Sequence, residues 1–584
     1  MLLTWRLLQP EIYSDDAFVH QYWMWSFRDP ELFTDALTAD LRESSRYPLG
    51  YQGLFWLATQ VADPIAFGEW TGAALMAVSA WLVFRIVREH EAWRPAAWLA
   101  AALFLALVDI HRFHGGFPRG FVHPVVLFCV LLALRRHHLA AALVAAGGAL
   151  LYPPAALLAV SVLIFAAVRW SGRRPRLDRK QAALALLALV LAIAAVLGPS
   201  LAAGGSPRVL SAAEARTFPE FGPNGPLHFF APTTVGYLRQ NRSGFDLRAS
   251  GSILALAALA LLLVRRANLG LLRPEVLALP VVVLAFYALA QAVLFRLYLP
   301  HRYTYPLVAF FAIVVGITLR PTWTALWARP RPRLRAFALL AAPVVIAGVA
   351  VYAFPLGPNR SLAGWAPIAV AGGALLVAAA VALALRRGPS TPAVGALLTG
   401  LALLGVTAAH TDRWARGAAC ARGPATAYLA SLPKDAVIAG DPHDLKCLPA
   451  TARRAVVIST QLAPSYETDY FLKGRARMFA TLRAYYGPSA GALVDLQERY
   501  GATHVWVKRG AVRQELTGGG VRWQPRERPY GRFVQQLVDR SEPAVLDLPA
   551  SCRRWKRGPD EVYEIACLSD RAILTRHSSG TAWR

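Results

Sequence analysis

The apolar residues of this chain lie in long blocks and not in short amphipathic patterns. Blocks such as 182–197 and 276–294 are nearly free of charge and are about as long as a helix that crosses the hydrocarbon core of a bilayer. A large soluble helical core would need many polar faces, which these blocks lack. We therefore predict about twelve membrane-spanning helices, near residues 64–87, 94–110, 121–134, 138–152, 154–169, 181–199, 249–264, 275–296, 303–319, 335–354, 363–385 and 391–409.

Composition agrees with membrane insertion and changes how the net charge is interpreted. The chain of 584 residues is 56% hydrophobic and 17% charged, whereas an average soluble domain carries roughly 25% charge. The net charge of +27 at first resembles that of a nucleic-acid-binding protein. The arginines, however, cluster in alternate short loops, such as Arg135-Arg136 and Arg265-Arg266, as the positive-inside rule predicts for cytoplasmic loops. We therefore expect no nucleic-acid partner.

With the basic loops in the cytoplasm, the other loops and both ends of the chain lie outside. We predict a first outer loop with amphipathic helices at 1–63, a transmembrane domain at 64–409 with an outer loop at 200–248, an outer soluble α/β domain at 410–570 and a loose tail at 571–584. The protein would lie in the cell (inner) membrane, with its C-terminal domain periplasmic or extracellular. Since residues 1–8 are too short to cross a bilayer, either the first segment is translocated unaided or, as we favour, an initiating helix precedes Met1.

The C-terminal region has the short elements of a small α/β domain. We predict helices at 425–432, 475–486 and 490–500 and strands at 436–439, 455–459 and 503–508. Four of the five cysteines lie in this region, and an even number in an oxidising compartment favours one or two disulfides. Cys420 with Cys447 and Cys552 with Cys567 are the neighbouring pairs, although the spacing does not fix the connectivity.

Adjacent carboxylates in the first outer loop are the most pointed chemical feature. Asp15 and Asp16 stand between aromatic residues, just outside the predicted membrane. A carboxylate pair near a low-dielectric boundary can act as a general base or bind a divalent cation. The simpler interpretation is that one of them, or Ser14, caps a helix through 17–27. Both interpretations can hold together, with one aspartate capping the helix and the other facing a cavity.

Two further polar groups lie on the same predicted side. Asp109, His111 and His114 fall within two turns at the outer end of the second span, where they could share a metal or form an ordinary outer turn. Arg302 opens a later span, where it could pair with a phosphate or reach to lipid headgroups. The loop 200–248, which contains Arg239, is long enough to form a lid over a cavity.

These features together resemble the GT-C superfamily of membrane glycosyltransferases. The similarity consists of Asp15-Asp16 in a Tyr-x-Asp-Asp-Ala-Phe setting, Asp109-x-His111 opening the second outer loop, Arg302 near a late outer loop, and a body of many spans followed by an outer domain. The resemblance implies a mainly α, GT-C-like polytopic helical bundle with a small α/β C-terminal domain. It implies that Asp15 or Asp16 is the catalytic base and that a divalent metal ion, where one is used, binds to Asp16, Asp109 and His111.

The activity implied by the resemblance is transfer of a sugar from a polyprenyl-phosphate-linked donor to a glycan, lipid or protein acceptor on the outer face of the membrane. Arg302, Arg119 or Arg239 would bind the donor phosphate as it departs. Two other functions remain open at this point. A transporter or lipid flippase would carry charges at the membrane midplane, where few occur here, and a non-catalytic cell-envelope scaffold would not need the acidic residues.

Overall fold

The computed structural model describes the greater part of the chain. The described residues are 12–13, 16–45, 47–91, 93–109, 112–171, 174–202, 205, 207–238, 240–244, 270–297, 299–328, 418–419, 423–463, 465–517, 523 and 528–569. The spans predicted near 249–264, 335–354, 363–385 and 391–409 and the tail at 571–584 lie outside these ranges.

The first segment forms a short strand and three helices before the first long helix. They are β1 (Ile12–Tyr13), α1 (Ala17–His20), α2 (Ala36–Ser45) and α3 (Leu49–Thr59), with a 3-10 helix at Tyr22–Phe27. The single helix through 17–27 that the capping interpretation requires is therefore wrong, because the chain changes from α to 3-10 geometry at Gln21. The 3-10 helix buries Tyr22, Trp23, Met24 and Trp25, so aromatic packing fixes this segment.

Helices occur at all eight predicted spans that fall within the described residues. They are α4 (Pro64–His90), α5 (Arg94–Leu107), α6 (Val122–Leu134), α7 (His138–Gly148), α8 (Pro153–Ala167), α9 (Arg179–Ala202), α12 (Pro274–Val293) and α13 (Leu307–Ala328). Within the described ranges, three helices are long and apolar enough to cross a membrane, at Pro64–His90, Arg179–Pro199 and Pro274–Leu297. Along α9, Leu186, Leu187 and Val190 are each more than half exposed, as expected of a helix that faces lipid.

Shorter elements connect the helices. A hairpin of β2 (Val168–Ser171) and β3 (Arg174–Leu177) follows α8, and the large loop contains α10 (Ala212–Thr217) and α11 (Thr234–Leu238). 3-10 helices lie at Pro118–Phe121, Pro219–Phe221, Asn241–Ser243 and Pro300–Arg302. The Gln291 side chain in the last turn of α12 donates hydrogen bonds to Tyr237 Oη at 2.8 Å and Tyr287 Oη at 2.9 Å, which joins the large loop to the bundle.

The C-terminal region is built on one mixed sheet. Its elements are β4 (Ala418–Ala419), α14 (Pro424–Ser431), β5 (Val437–Gly440), α15 (Leu448–Ala452), β6 (Ala455–Val456), α16 (Thr468–Tyr486), α17 (Gly491–Tyr500), β7 (His504–Lys508), α18 (Arg509–Leu516), α19 (Tyr530–Val538), β8 (Arg553–Arg557), β9 (Asp560–Glu564) and α20 (Ile565–Leu568). The five-stranded sheet has the order β6-β5-β7-β9-β8, in which β5 is parallel to both β6 and β7 and β9 is antiparallel to both β7 and β8.

Every helix and strand predicted for this region has an observed counterpart, but α16 begins at Thr468, well before its predicted start at 475, and β6 is shorter than predicted. The elements that were not predicted are β4, α15, α18, α19, β8, β9 and α20. The predicted disulfide between Cys552 and Cys567 is confirmed. Cys447 is also disulfide-bonded, and its predicted partner Cys420 lies outside the described residues. The region contacts the first segment and the large loop: Lys434 pairs with Asp29 at 2.8 Å, and Thr468 N donates to Arg208 O at 2.8 Å.

Candidate functional site

Asp16 stands at the start of helix α1 and pairs with an arginine from another loop. Among the described residues, the first turn of α1 donates no hydrogen bond to the Asp16 side chain, so the capping role predicted as an alternative is wrong for this residue. The carboxylate instead forms an ion pair with Arg119, which lies in the 3-10 helix Pro118–Phe121. This helix belongs to the loop between α5 and α6, which was predicted as the second outer loop and keeps that name below. Arg119 was predicted as a phosphate ligand and not as the partner of Asp16.

The surroundings keep Asp16 ionised. Burial, the strongest influence, raises the pKa of Asp16, but the charges of Arg119, His20 and Arg302 and the hydrogen bond from Arg119 together lower it below its usual value. The pKa of His20 is lowered to about 4, mainly by burial and then by Arg119 and Arg302, against the opposing charge of Asp16. Asp16 is therefore a carboxylate beside two arginines.

Close packing of glycines against helix α4 determines where Arg119 lies. The second outer loop passes so near α4 that a Cβ atom on Gly68 would stand 2.6 Å from Gly115 O, and one on Gly72 would overlap the carbonyl oxygen of Phe113. Gly116 has a φ of +60°, in the left-handed region that favours glycine. The Gly115-Gly116 pair seen in the sequence is thus a backbone packing feature that directs the loop towards Asp16.

A buried pair of an acid and a histidine holds the same loop against helix α4. Glu69 on α4 lies 3.1 Å from His114 Nε2 and accepts a hydrogen bond of 3.2 Å from Gly115 N. Both side chains are almost fully buried, at 5% and 4% exposure. Gln21 of the first segment donates to Gly115 O, which joins the two outer segments. Sequence reasoning missed Glu69, although a single acid within an apolar span is a signal that could have identified it.

Arg302 lies among other arginines, of which Arg119 was predicted as a phosphate ligand and Arg112 and Arg242 were not. His301 is buried, and its pKa is lowered well below its usual value by burial and then by the charges of Arg302, Arg242, Arg112 and Arg119. These four arginines are called the arginine cluster below.

Two contacts bring Arg242 and Arg112 to this place. Thr304 Oγ1 donates to Gly244 O at 2.9 Å, so the 3-10 helix Asn241–Ser243 packs against the one that ends at Arg302. The guanidinium of Arg112 stacks on the Tyr305 ring at 3.6 Å from its centroid. Arginines from two outer loops therefore meet beside the loop that carries Arg302.

The predicted metal site is not supported by the residues that are described. Asp109 pairs with Arg112 at 3.3 Å, and Asp16 pairs with Arg119, so both carboxylates face guanidinium groups. Within the described ranges, no group of three His, Cys, Asp or Glu side chains is placed to bind an ion. His111 lies outside the described residues, as do the predicted site residues Asp15 and Arg239. The guanidinium groups beside Asp16 and Asp109 suit the binding of an anion better than the binding of a cation.

Comparison with known proteins gives a fold and no family model. No protein-family model matches the chain, and no curated protein matches it. ArnT from Cupriavidus metallidurans in the apo state is similar, with a TM-score of 0.52 and 15% identity over 97% of this chain and 96% of that chain. The same protein bound to undecaprenyl phosphate aligns with a TM-score of 0.47 and 16% identity over 85% of this chain and 93% of that chain. The similarity to the apo structure confirms the GT-C-like fold that the sequence resemblance implied.

Proposed function

We propose that this chain is a membrane glycosyltransferase that moves a sugar from a polyprenyl-phosphate-linked donor to an acceptor at the membrane surface. One observation carries the proposal: the carboxylate of Asp16 stands beside the arginine cluster, at one end of an apolar helical bundle. The reaction needs a base, a phosphate site and access from the lipid phase, and this arrangement would supply all three. The ArnT-like fold supports the same class of reaction.

The arginine cluster is the proposed site for the donor phosphate. Guanidinium groups bind phosphate oxygens through charge-assisted and often bidentate hydrogen bonds. Arg302 and Arg119 are the predicted ligands, and Arg242 and Arg112 lie near enough for their charges to act on the same histidine, His301. Arg239, the third predicted ligand, remains a prediction.

Donor binding would also activate the base. In the structure Arg119 is engaged by Asp16, whose lowered pKa makes it a weak base. A donor phosphate that pairs with Arg119 would neutralise the charge that lowers the pKa of Asp16. Burial would then raise this pKa and make Asp16 a stronger base. Asp16 then accepts the proton of an acceptor hydroxyl, whose oxygen bonds to the anomeric carbon. The bond from that carbon to the phosphate oxygen breaks, and polyprenyl phosphate leaves with the electron pair. Asp15 is the alternative base.

We place this site on the outer face of the cell membrane, with the C-terminal domain periplasmic or extracellular. Disulfides persist in oxidising compartments, and both the Cys552–Cys567 bond and the bonded Cys447 belong to the region that contacts the first segment. Helix α6 starts at Val122, shortly after Arg119, and Arg135-Arg136 follows directly after its last residue, so its basic end points away from the site. The positive-inside rule assigns that end to the cytoplasm.

Binding of undecaprenyl phosphate to the purified protein tests the phosphate site. We expect the ligand to raise the melting temperature of the wild type, because it binds only the folded protein. Arg302→Gln should weaken binding about 10- to 100-fold, the range for a lost hydrogen bond to a charged group. Arg216→Gln is the matched control, since Arg216 is an exposed arginine stacked on Phe230 in the large loop. Equal binding by both variants would contradict the proposed site.

Transfer itself is tested in vesicles that contain the protein and a membrane extract of polyprenyl-phosphate sugars labelled with tritium in the sugar. The expected result is protein-dependent transfer of label from the polyprenyl-phosphate sugar to another molecule, resolved by chromatography, and its abolition by the double substitution of Asp15→Asn and Asp16→Asn. Full activity of that double variant would refute the catalytic role of the acidic pair. Movement of labelled lipid across the bilayer with the sugar still attached would instead identify a flippase.

A further inference from the structure

The C-terminal region contacts the chain immediately before Asp16. Strand β1 (Ile12–Tyr13) pairs antiparallel with β4, with Ile12 opposite Ala419 and Tyr13 opposite Ala418. These two strands form a sheet of their own, separate from the five-stranded sheet. The start of the C-terminal region thus holds the chain at Tyr13, three residues before Asp16.

The C-terminal region also contacts the chain immediately after Asp16. Helix α15 packs against α1 and against the 3-10 helix Tyr22–Phe27. Arg453, which ends α15, places its guanidinium over the buried ring of Trp25, 3.5 Å from the ring centroid. Such a cation–π contact needs the cation directly over the ring face. The segment that carries Asp16 is therefore contacted on both sides by one structural unit.

The conformation of Arg453 is unusual and is fixed by its neighbour. Its φ is +54°, in the left-handed region that few residues other than glycine adopt. The next residue, Arg454, is 8% exposed and donates to Leu432 O at 2.9 Å and to Ala430 O at 2.7 Å. Residues in this backbone region persist only where the surroundings impose it, and they concentrate at functional sites. The turn therefore aims the Arg453 side chain back at the first segment.

The packing of α16 against α2 and several ion pairs also join the first segment to the C-terminal region. Lys434 pairs with Asp29 and Glu31, and Lys473 pairs with Asp40 at 2.7 Å, but all of these are partly or largely exposed. Exposed ion pairs contribute little to stability. These ion pairs join oppositely charged groups of the first segment and the C-terminal region. The β1–β4 pairing and the Arg453–Trp25 contact lie nearer to Asp16 in the sequence.

We propose that the C-terminal domain positions the carboxylate of Asp16 for the transfer reaction, and that Arg453 is a positioning residue. This inference rests on the proposed glycosyltransferase function. Arg119 belongs both to the ion pair with Asp16 and to the arginine cluster, whereas Arg112, Arg242 and Arg302 lie in loops outside these contacts. Loosening the contacts should therefore lower kcat more than it raises the KM for the donor, because a small misplacement of a reacting group slows the chemical step.

Steady-state transfer by full-length variants tests this inference. Arg453→Ala should lower kcat about two- to fivefold, the range for a lost cation–π contact, and Ala419→Pro, which removes a backbone donor from β4, should cause a similar loss. If the two contacts act independently, the two changes together should lower kcat about four- to 25-fold. Arg453→Lys should restore much of the loss, because it keeps a cation over Trp25. Lys473→Ala is the control from the same boundary and should leave kcat unchanged.

A double-substitution cycle shows whether Arg453 acts through Asp16. If it does, Arg453→Ala should cause no further loss once Asp16 is replaced by Asn. Additive losses, an unchanged kcat in Arg453→Ala, or an equal loss in Lys473→Ala would each overturn the inference. Transfer by the wild type shows independently whether the proposed function holds. Melting temperatures of all variants separate mispositioning from unfolding, since only the former changes kcat with the melting temperature preserved.

Discussion

Replacement of Arg119 by glutamine removes the charged partner of Asp16 while keeping a polar side chain with an N–H donor. The Arg119 side chain is 13% exposed and the Asp16 side chain is 35% exposed, so the ion pair is half-buried. Breaking a buried pair costs roughly 3–5 kcal/mol, and exposed pairs contribute about 0–1 kcal/mol. With the contribution discounted for solvent screening at Asp16, we expect Arg119→Gln to lower the free energy of unfolding by about 2 kcal/mol near neutral pH.

The loss should depend on pH in a defined direction. In the wild type the pKa of Asp16 is lowered, so its stabilising effect is present above the pKa of the unfolded chain and is lost only as the pH falls through the lowered value. Without Arg119, burial raises the pKa of Asp16, and the folded variant gains stability by taking up a proton as the pH falls. The pKa of His20, about 4 in the wild type, would also rise and act in the same direction.

The assay is thermal unfolding of wild type and Arg119→Gln in one detergent between about pH 7.5 and about pH 5. We expect the difference in melting temperature to be largest at the higher pH and to shrink as the pH falls. Arg119→Lys is the control, because it keeps a positive charge near Asp16 and should show a smaller, nearly constant difference. A difference that does not change with pH would refute the assignment of Arg119 as the group that keeps Asp16 ionised.

Three further predictions concern how the outer loops and the C-terminal region are held. Gly72→Ala should lower the free energy of unfolding by about 1–3 kcal/mol in a chemical denaturation series, because the added methyl group overlaps a carbonyl oxygen of the second outer loop. Glu69→Ala leaves the buried Gly115 N–H without its acceptor and should cost about 1–3 kcal/mol in the same assay, whereas Glu69→Gln keeps an acceptor and should cost less. Cys552→Ser removes the disulfide to Cys567, 15 residues away, and should lower the free energy of unfolding by about 3 kcal/mol relative to the oxidised wild type. Adding a reductant to the wild type should cause the same loss.

Much of the bundle could be predicted from the sequence because insertion into a bilayer is a local property of each segment. A long uncharged block favours the hydrocarbon phase whatever surrounds it, and helical hydrogen bonding is the way for it to satisfy its backbone there. Helices were accordingly found at the predicted positions, for example at Pro64–His90 and Pro274–Val293. The alternation of short helices and strands likewise indicated the C-terminal α/β region.

The partners within the site could not be predicted from the sequence. Asp16 meets Arg119 only because Gly68 and Gly72 let the second outer loop approach helix α4, and neither glycine stands out in the sequence. The capping role predicted for Asp16 failed because a carboxylate favours a nearby guanidinium over backbone donors when packing brings the two together. Arg239 was selected from the large loop and Arg242 was not, because the sequence does not show which arginine of a loop packs against the turn that carries Arg302.

The sequence by itself indicated that the chain enters a membrane, where its apolar helices lie and which polar residues share one predicted side. Only the tertiary structure decided which of these residues touch, that Asp109 and Asp16 pair with arginines, and that the C-terminal region contacts the segment carrying Asp16. The physical reason is how much of the chain each interaction depends on. Transfer of apolar surface from water is decided within one helix, whereas an ion pair is decided by the packing of several elements to within an ångström or two.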